Sequence, residues 1–573
     1  MTSLSQVSYD PSWGLRPTPP IDPMTTYDMF ARSARHHPQK PALIFLDRSI
    51  SYRALDEQVG RFAAALANLG VKQGDRIATI LPQSPAFVTL YLAAATMGLV
   101  LIPLDPRDTP EEMQALCDRA RPKLLVGLAY PEPFREKTEA LVARYTFSHV
   151  YGYFGNLSAP GAQPFEQLLQ GSPDPVPERF HPKPDDPLIV IFTSGTTGKP
   201  KGAVISHKNS WAIAKATVES GGIDHTDRTI INMPTSHVAG THDLIAHQLY
   251  AGSTAVLCPK FDPKEMLEII QTHRITVTGG VPTMFRLMFK NCNLADYDTS
   301  SVAKLIVSGE PQTPEFLERL HAAFPKATIF ASFGMSETAG FFTFTRPDDD
   351  FQTIIETEGP PALDFQMRVL RPDNTWAAPG EVGELLIRGD SVISGYMDEK
   401  DDEGAFYQGW FRTGDLGFLD ERNYLHYVGR CKEMYKSGGY NVYPLEIEIY
   451  LNAYPGVNTS AVVSGPHPIW GETGYAFVVP EEGAAISAEE IKAYCKKGLA
   501  DYKQPSRIIV TTDVPRSSIG KVAKKELQQS LQNYIYAASV SCTTTKEKKH
   551  DGNQGPHAGN DHRGTCRAGA TCC

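Results

Sequence analysis

Residues 193–202 read TSGTTGKPKG, a run of small, hydroxyl-bearing and cationic residues. The apolar stretch Leu188–Phe192 precedes it and Ala203–Ile205 follows it, so we expect a loop between two strands. Small residues let the backbone approach an anion, hydroxyls and successive N–H groups donate to its oxygens, and lysines add positive charge. The run therefore predicts a phosphate-binding loop, whose candidate residues are Thr193, Ser194, Gly195, Thr196, Thr197, Gly198, Lys199 and Lys201. It is not a Walker loop, because Thr193 stands where that motif requires glycine and Pro200 where Ser or Thr must follow the lysine.

Further segments extend this pattern along the chain. They are SGEP at 308–311, FGMSE at 333–337, GWFRTGD at 409–415, YVGR at 427–430, YKSGGYNV at 435–442 and PRSSIGK at 515–521. With the loop, they resemble the adenylate-forming (AMP-binding) superfamily, which includes acyl-CoA and aryl-CoA synthetases, beetle luciferases and the adenylation domains of peptide synthetases. The resemblance covers about residues 25–530. Two positions depart from the family pattern, since Phe333 replaces a tyrosine and Ser336 a threonine.

The resemblance implies an enzyme, an acid–thiol ligase that uses ATP, Mg²⁺ and coenzyme A. A fatty or aryl carboxylate attacks the α-phosphate of ATP to give acyl-AMP and pyrophosphate, and the thiolate of coenzyme A then displaces AMP. Charge builds on oxygens during the first step, and cations and N–H donors must stabilise it.

The family pattern also implies roles for individual nucleotide-binding residues. Glu337 is the implied Mg²⁺ ligand, a carboxylate being a hard oxygen donor. Asp415 accepts from the ribose hydroxyls, and Arg430 adds a donor. Phe333 presents a ring for adenine stacking, and Ser336 keeps the hydroxyl for the α-phosphate. Gly309 and Glu310 border the adenine.

Three lysines and two glycines are implied to act in successive steps of the reaction. Lys521 reaches the α-phosphate and the substrate carboxylate during adenylation, beside Thr193 and Glu337. Lys432 is the hinge about which a small domain rotates between the two steps. Lys436 enters the site only after that rotation, and Gly438 and Gly439 then leave room for the pantetheine thiol.

The segment NMPTSHVAG at 232–240 resembles the family's acyl pocket, with His237 beside the acid. His237 has the alternative of a purely structural, hydrogen-bonded histidine. Other predicted pocket residues are Val238, Gly240, Met284 and Phe341. No aspartate for a substrate ammonium is found in this segment, so an uncharged acyl or aryl acid is expected.

Three other functions stay open at this stage. The acyl group could pass to a carrier-protein thiol, although the tail has no pattern of a folded carrier domain. A luciferase-like oxidation of the adenylate, or a nucleotide-sensing protein without catalysis, would use the same nucleotide site.

The elements that must position these residues follow from hydrophobic periodicity. Residues 56–69 predict a helix ended by Gly70, residues 76–81 a strand, residues 84–97 a helix and residues 100–103 a strand. Apolar strands alternating with helices indicate an α/β fold with parallel sheets covered on both faces. We therefore expect an extended segment at 1–24, a large domain of doubly wound sheets at 25–431, a small mobile α+β domain at 432–535 and a disordered tail at 536–573. The family resemblance adds a small β-barrel to the large domain.

Composition excludes several classes of function. The net charge is −10, so no strongly basic field is available to bind nucleic acid. No apolar stretch reaches the roughly 20 residues of a membrane helix, and no signal peptide or C-terminal peroxisomal signal is visible, so a cytoplasmic location is expected. The tail cysteines and histidines could be lipidated or bind metal, but an inert tail is the expectation. The oligomeric state is not indicated.

Overall fold

The computed structural model describes residues 23–170, 180–193, 200–309, 312–516 and 521–531. The predicted tail and nearly all of the predicted N-terminal segment lie outside these ranges. The α-helices are α1 Thr26–His36, α2 Tyr52–Asn68, α3 Pro85–Met97, α4 Pro110–Ala120, α5 Glu132–Arg144, α6 His207–Gly221, α7 Leu244–Ala251, α8 Pro263–His273, α9 Pro282–Asn291, α10 Pro314–Ala323, α11 Phe351–Glu356, α12 Pro444–Asn452 and α13 Ala488–Gly498. None of the helices within these ranges is long and apolar enough to span a bilayer.

Two large sheets form the first part of the chain. Their strands are β1 Pro41–Phe45, β2 Arg48–Ser51, β3 Arg76–Ile80, β4 Val100–Pro103, β5 Leu124–Leu128, β6 His149–Tyr153, β7 Gln163–Pro164, β8 Pro187–Thr193, β9 Lys201–Ser206, β10 Arg228–Ile231, β11 Thr254–Leu257, β12 Val277–Gly280, β13 Lys304–Ser308 and β14 Thr328–Ser332. One sheet has the order β7-β6-β5-β3-β4-β8-β9 and the other β14-β13-β12-β10-β11-β1-β2. Both are parallel except at one edge, where β9 and β2 pair antiparallel to their neighbours. This confirms the predicted α/β architecture.

Helix α3 lies in the core shared by both sheets. Its residues Ala86–Ala95 are all buried, and all of them except Thr89 belong to the same apolar cluster as Leu43 of one sheet and Ile77 of the other. A helix that is apolar on all sides is stable only when covered all round. The chain thus places its most apolar helix between the two sheets.

The predicted helix at 56–69 begins earlier than its apolar pattern indicates. Helix α2 starts at Tyr52, because the Ser51 hydroxyl accepts from the N–H of Ala54 and caps the first turn. Gly70 follows the end of the helix with φ +75°, as the C-terminal glycine signal predicts.

A third, antiparallel sheet stands where the resemblance implied a small β-barrel. Its strands are β17 Gln366–Leu370, β18 Gly383–Arg388, β19 Phe406–Tyr407, β20 Trp410–Leu419 and β21 Leu425–Arg430. The two-residue strands β15 Gly334–Met335 and β16 Gly340–Phe341 form a separate ribbon.

The last part of the chain forms an α+β unit, as predicted. The strands β22 Tyr435–Ser437, β23 Tyr440–Val442, β24 Val457–His467, β25 Gly471–Pro480 and β26 Arg507–Val510 make one sheet. Helices α12 and α13 pack on it, and residues 524–531 are also helical. Lys524 is paired there with Glu433 at 2.7 Å and with Glu448 at 2.8 Å. This ion triad connects the last helix to the chain just beyond Lys432.

Candidate active site

Glu337 lies in a tight turn between strands β15 and β16. Residues Ser336–Thr338 form a single 3₁₀ turn, and the Thr338 hydroxyl donates to the Gly340 carbonyl at 2.7 Å, which closes the ribbon. The Glu337 side chain is buried, and its Oε1 accepts from the Tyr396 hydroxyl at 2.9 Å. Burial raises the pKa of Glu337, while the Tyr396 hydrogen bond opposes the rise. The result is a fixed carboxylate with oxygen lone pairs left for a hard cation.

Asp415 and Arg430 face each other across neighbouring strands. They are register partners in β20 and β21, and Arg430 Nε lies 3.4 Å from Asp415 Oδ1. The pairing of the strands shifts beside Asp415, between Leu416 and Gly417, and such bulges redirect side chains near functional sites. Burial raises the pKa of Asp415 to about 6, although Arg430 and Lys521 lower it. A buried carboxylate of this kind can accept hydrogen bonds from two adjacent hydroxyls.

Phe333 forms part of an aromatic wall beside this pair. Its ring centroid is 5.0 Å from that of Tyr427 on β21 and 5.5 Å from that of Phe342. The Thr343 hydroxyl accepts from the Phe333 N–H at 2.9 Å, which fixes the backbone at the end of β14. The site therefore offers an apolar surface next to the Asp415–Arg430 pair.

Lys521 reaches into the same site from the last part of the chain. An alanine Cβ built at Gly309 would lie 2.8 Å from Lys521 Cε and 3.1 Å from Lys521 Nζ. Its positive charge lowers the pKa of Asp415, of His237 and of Glu358, so all three groups lie within electrostatic range of it. Gly309 also has φ +93°, a conformation that side-chain-bearing residues rarely adopt. Glycine at 309 thus permits both the turn and the approach of the lysine.

His237 is neutral near pH 7. Burial and the nearby Lys521 lower its pKa to about 4. Its Nδ1 accepts from the Ala239 N–H at 3.2 Å, so the proton of the neutral ring is on Nε2. The predicted position beside the bound acid, as a hydrogen-bond donor, and the alternative structural role are both compatible with this arrangement.

The predicted acyl-pocket residues come from three segments of the chain. Val238 and Met284 are buried and Phe341 is partly buried. Gly240 has a different reason to be glycine, because an added Cβ would lie 2.2 Å from the Pro234 carbonyl oxygen and 2.3 Å from that of Met233. Its lack of a side chain is required by backbone packing rather than by a substrate.

Strands β8 and β9 pair antiparallel and hold the two ends of the predicted phosphate loop together, with Thr193 opposite Lys201. Lys201 Nζ donates to the Asp401 carbonyl at 2.8 Å and lies 4.7 Å from the centre of the Tyr396 ring. The loop itself lies outside the described residues, as do the predicted site residues Ser194, Gly195, Thr196, Thr197, Gly198, Lys199 and Glu310.

The residues predicted for thioester formation are not in this site. Lys436 is exposed on β22, and its N–H donates to Glu472 Oε2 at 3.2 Å. Gly438 and Gly439 form the exposed turn to β23 with φ +58° and +88°. Lys432 lies in the turn directly after β21. The structure thus holds Lys521 inside the site and Lys436 outside it.

Tyr396 and Glu358 were missed by the sequence analysis. Tyr396 is 59 residues from the glutamate that it contacts, and no local pattern indicates that contact. Glu358 follows the end of helix α11, and its N–H donates to the Leu425 carbonyl at 2.8 Å. Burial raises the pKa of Glu358 to about 7 beside Lys521. An acidic residue next to the Gly-Pro-Pro sequence at 359–361 was the only signal available.

Comparison with known proteins identifies the family of the chain. The family model described as AMP-binding enzyme matches residues 30–397, and the model described as AMP-binding enzyme C-terminal domain matches residues 446–521. Indoleacetate–CoA ligase of Aromatoleum aromaticum is 34% identical over 505 residues, which cover 87% of this chain and 96% of the relative. Feruloyl-CoA synthase of Amycolatopsis sp is 32% identical over 503 residues, covering 87% and 97%.

A solved structure shows the same arrangement of elements. The crystal structure of ATP-bound MatB from Rhodopseudomonas palustris aligns with a TM-score of 0.79 and 30% identity, covering 88% of this chain and 99% of that one. The chain therefore belongs to the AMP-binding enzyme family, and it is a ligase of the acyl-CoA synthetase type.

Proposed function

We propose that this site activates an uncharged aryl or aliphatic carboxylic acid with ATP and Mg²⁺ and then joins it to coenzyme A. The observation that carries the proposal is the position of Lys521, which lies against Gly309 and among His237, Asp415 and Glu358. This cation is close to the groups that the family pattern assigns to ribose and acid, where negative charge develops during adenylation.

The first step forms a bond between a carboxylate oxygen and the α-phosphorus, and pyrophosphate leaves. Lys521 and the Ser336 hydroxyl would bind the α-phosphate oxygens, and Thr193 and Lys201 flank the loop that would bind the departing phosphates. Asp415 with Arg430 would hold the ribose, and Phe333 the adenine. The fixed carboxylate of Glu337 fits a hard divalent cation, which when bound would neutralise charge on the phosphate oxygens.

The second step forms the thioester. The thiolate of coenzyme A attacks the acyl carbonyl carbon, and AMP leaves with the electron pair of the broken C–O bond. Lys436, Gly438 and Gly439 lie outside the site, so this step requires them to move toward it. We propose that the movement is a rotation about Lys432, a change in a few linker angles of the kind that moves whole domains.

The acid class follows from the buried Val238 and Met284 and the partly buried Phe341. An apolar pocket wall favours an aryl or alkyl group, and it disfavours a charged group because that group would lose its hydration without gaining a partner. A carrier-protein thiol as acceptor in place of coenzyme A, and a cytoplasmic location, stay predictions from the sequence.

A screen of pyrophosphate release tests the proposal. Short, medium and long fatty acids, benzoates and cinnamates are supplied with ATP and Mg²⁺, with and without coenzyme A. We expect ATP-dependent release with a subset of these acids and thioester only when coenzyme A is present. No release with any acid would contradict the function, and release without thioester would favour a protein-bound thiol as acceptor.

A further inference from the structure

Arg119, in the last turn of helix α4, contacts the chain at both ends of the predicted phosphate loop. Its guanidinium carbon lies 5.6 Å from the centre of the ring of Phe192, which directly precedes the loop. Its Nη1 donates to the carbonyl oxygen of Pro200, near the end of the loop. One helical side chain therefore connects the end of β8 to the residue that precedes β9.

The same guanidinium group binds two carboxylates of the segment 396–402. Its Nε donates to Asp398 Oδ2 at 3.0 Å, and its Nη2 donates to Asp398 and, at 3.2 Å, to Asp401 Oδ2. These side chains are 18–33% exposed, so solvent and salt screen their attraction less than that of a fully exposed pair. A guanidinium presents its donors in a fixed planar fork and can bind several acceptors in one geometry. Arg119 thus holds this segment against the end of the loop.

The segment 396–402 in turn contacts two predicted site residues, Lys201 and Glu337. The Asp401 carbonyl accepts from Lys201 Nζ at 2.8 Å, while the carboxylate of the same residue accepts from the arginine. The Tyr396 hydroxyl donates to Glu337 Oε1 at 2.9 Å. Lys201 also lowers the pKa of Glu337, so this cation and this carboxylate lie within electrostatic range of each other. One segment therefore orients both side chains.

Backbone pairing connects the segment to strand β9. Tyr396 and Ala203 form an antiparallel bridge, and the Met397 N–H donates to the Gly202 carbonyl at 2.8 Å. An alanine Cβ built at Gly202 would lie 3.2 Å from Met397 Cβ, so the two backbones approach closely. A displacement of the segment would therefore reach the start of β9.

We propose that Arg119 is a positioning residue for the part of the site that binds the β- and γ-phosphates of ATP and their Mg²⁺. It acts through Asp398 and Asp401 on Lys201 and Glu337, rather than by contact with the nucleotide. The inference rests on the proposed function, in which Lys201 flanks the loop for the departing phosphates and Glu337 fits the divalent cation. Loss of a group that orients metal-binding side chains typically lowers affinity or activity by about 10- to 100-fold.

Binding of ATP and of AMP separates this role from a general structural one. The dissociation constants of ATP with Mg²⁺ and of AMP are measured by isothermal titration calorimetry for the full-length wild type and for Arg119→Met. We expect the variant to bind ATP about tenfold or more weakly and AMP within about twofold of wild type, because AMP lacks the two phosphates concerned. Arg119→Lys should give an intermediate affinity for ATP, because it keeps the charge and loses the planar fork.

The second half-reaction provides a further readout. Thioester formation from supplied acyl-AMP and coenzyme A uses neither the β- nor the γ-phosphate, so Arg119→Met should keep the wild-type rate of this step. A variant with a general structural defect would lose this step together with ATP binding.

Arg144→Met is the matched control. Arg144 lies 2.5 Å from Glu111 and connects α5 to the first turn of α4, at the other end of that helix from Arg119. The control should keep both wild-type dissociation constants. If Arg119→Met does not fold, Asp398→Asn removes one carboxylate from the same network and should weaken the binding of ATP but not of AMP.

Two results would overturn the inference while leaving the proposed function intact. One is wild-type affinity for ATP in Arg119→Met or, where that variant does not fold, in Asp398→Asn. The other is an equal loss of affinity for ATP and AMP. A folded wild-type protein that binds neither nucleotide would contradict the proposed function instead.

Discussion

Replacement of Lys521 by alanine tests the adenylation site most directly. The lysine approaches Gly309 so closely that a methyl group there would lie 2.8 Å from its Cε. It is also the cation that lowers the pKa of His237, Asp415 and Glu358 together. Alanine removes the donor and its charge without adding a group that could block the site.

The expected magnitude follows from the loss of one positioned donor. Such a loss typically lowers the rate by about 10² to 10³, which corresponds to about 3–4 kcal/mol of transition-state stabilisation. Loss of the cation should also raise the pKa of Asp415 further above about 6, because Lys521 now opposes that rise. The defect in adenylation should therefore become larger below neutral pH.

Gly309→Ala provides an independent perturbation of the same contact. It adds a Cβ 3.1 Å from Lys521 Nζ and introduces backbone strain, since Gly309 has φ +93°. Gly380→Ala is the control, because Gly380 has φ +83° but no atom within 4 Å of an added Cβ. Only Gly309→Ala should slow adenylation.

The assay separates the two half-reactions. Pyrophosphate release reports adenylation, and thioester formation from supplied acyl-AMP and coenzyme A reports the second step. We expect Lys521→Ala to lose the first and keep the second. Wild-type pyrophosphate release in this variant would refute the placement of Lys521 at the reacting groups, and equal losses in both steps would indicate a general structural defect.

Three other predictions concern charge and movement. The KM for ATP should rise as pH falls through about 6, because Asp415 is ionised above its raised pKa and protonated below it. Asp415→Asn should show a high KM that does not change over this pH range. A pH dependence that persists in this variant would assign the titration to another group. Lys524→Met should lower the free energy of unfolding, measured in urea, by about 3–5 kcal/mol, because it leaves the carboxylates of Glu433 and Glu448 without their cation. Adding Glu448→Gln to this variant should recover part of the loss. An unchanged free energy of unfolding would show that the ion triad is solvated. Lys432→Pro should fix φ at about −65° and slow thioester formation from supplied acyl-AMP more than it slows adenylation. A wild-type rate of thioester formation in this variant would show that Lys432 is not the hinge.

The sequence alone determined the fold class, and it indicated the segments that we propose to bind the nucleotide. Alternating strands and helices predict parallel sheets, because the chain must cross back over the sheet, usually through a helix, before it enters the next parallel strand. The glycine at position 70 also placed the end of helix α2 correctly. Linear motifs identify Glu337, Asp415, Arg430 and Lys521, since each lies in a short segment with its own pattern. The apolar pattern did not locate the start of helix α2, because the Ser51 hydroxyl caps the helix before the first residue of that pattern.

Only the tertiary structure decided which of these residues meet. Lys521 and Gly309 are 212 positions apart, and no local pattern states that one requires the other to lack a side chain. Tyr396 reaches Glu337 because the loop before β19 packs on the ribbon of β15 and β16. Motifs specify residue types along the chain, but contacts, burial and pKa shifts depend on the residues that the tertiary structure packs around each group.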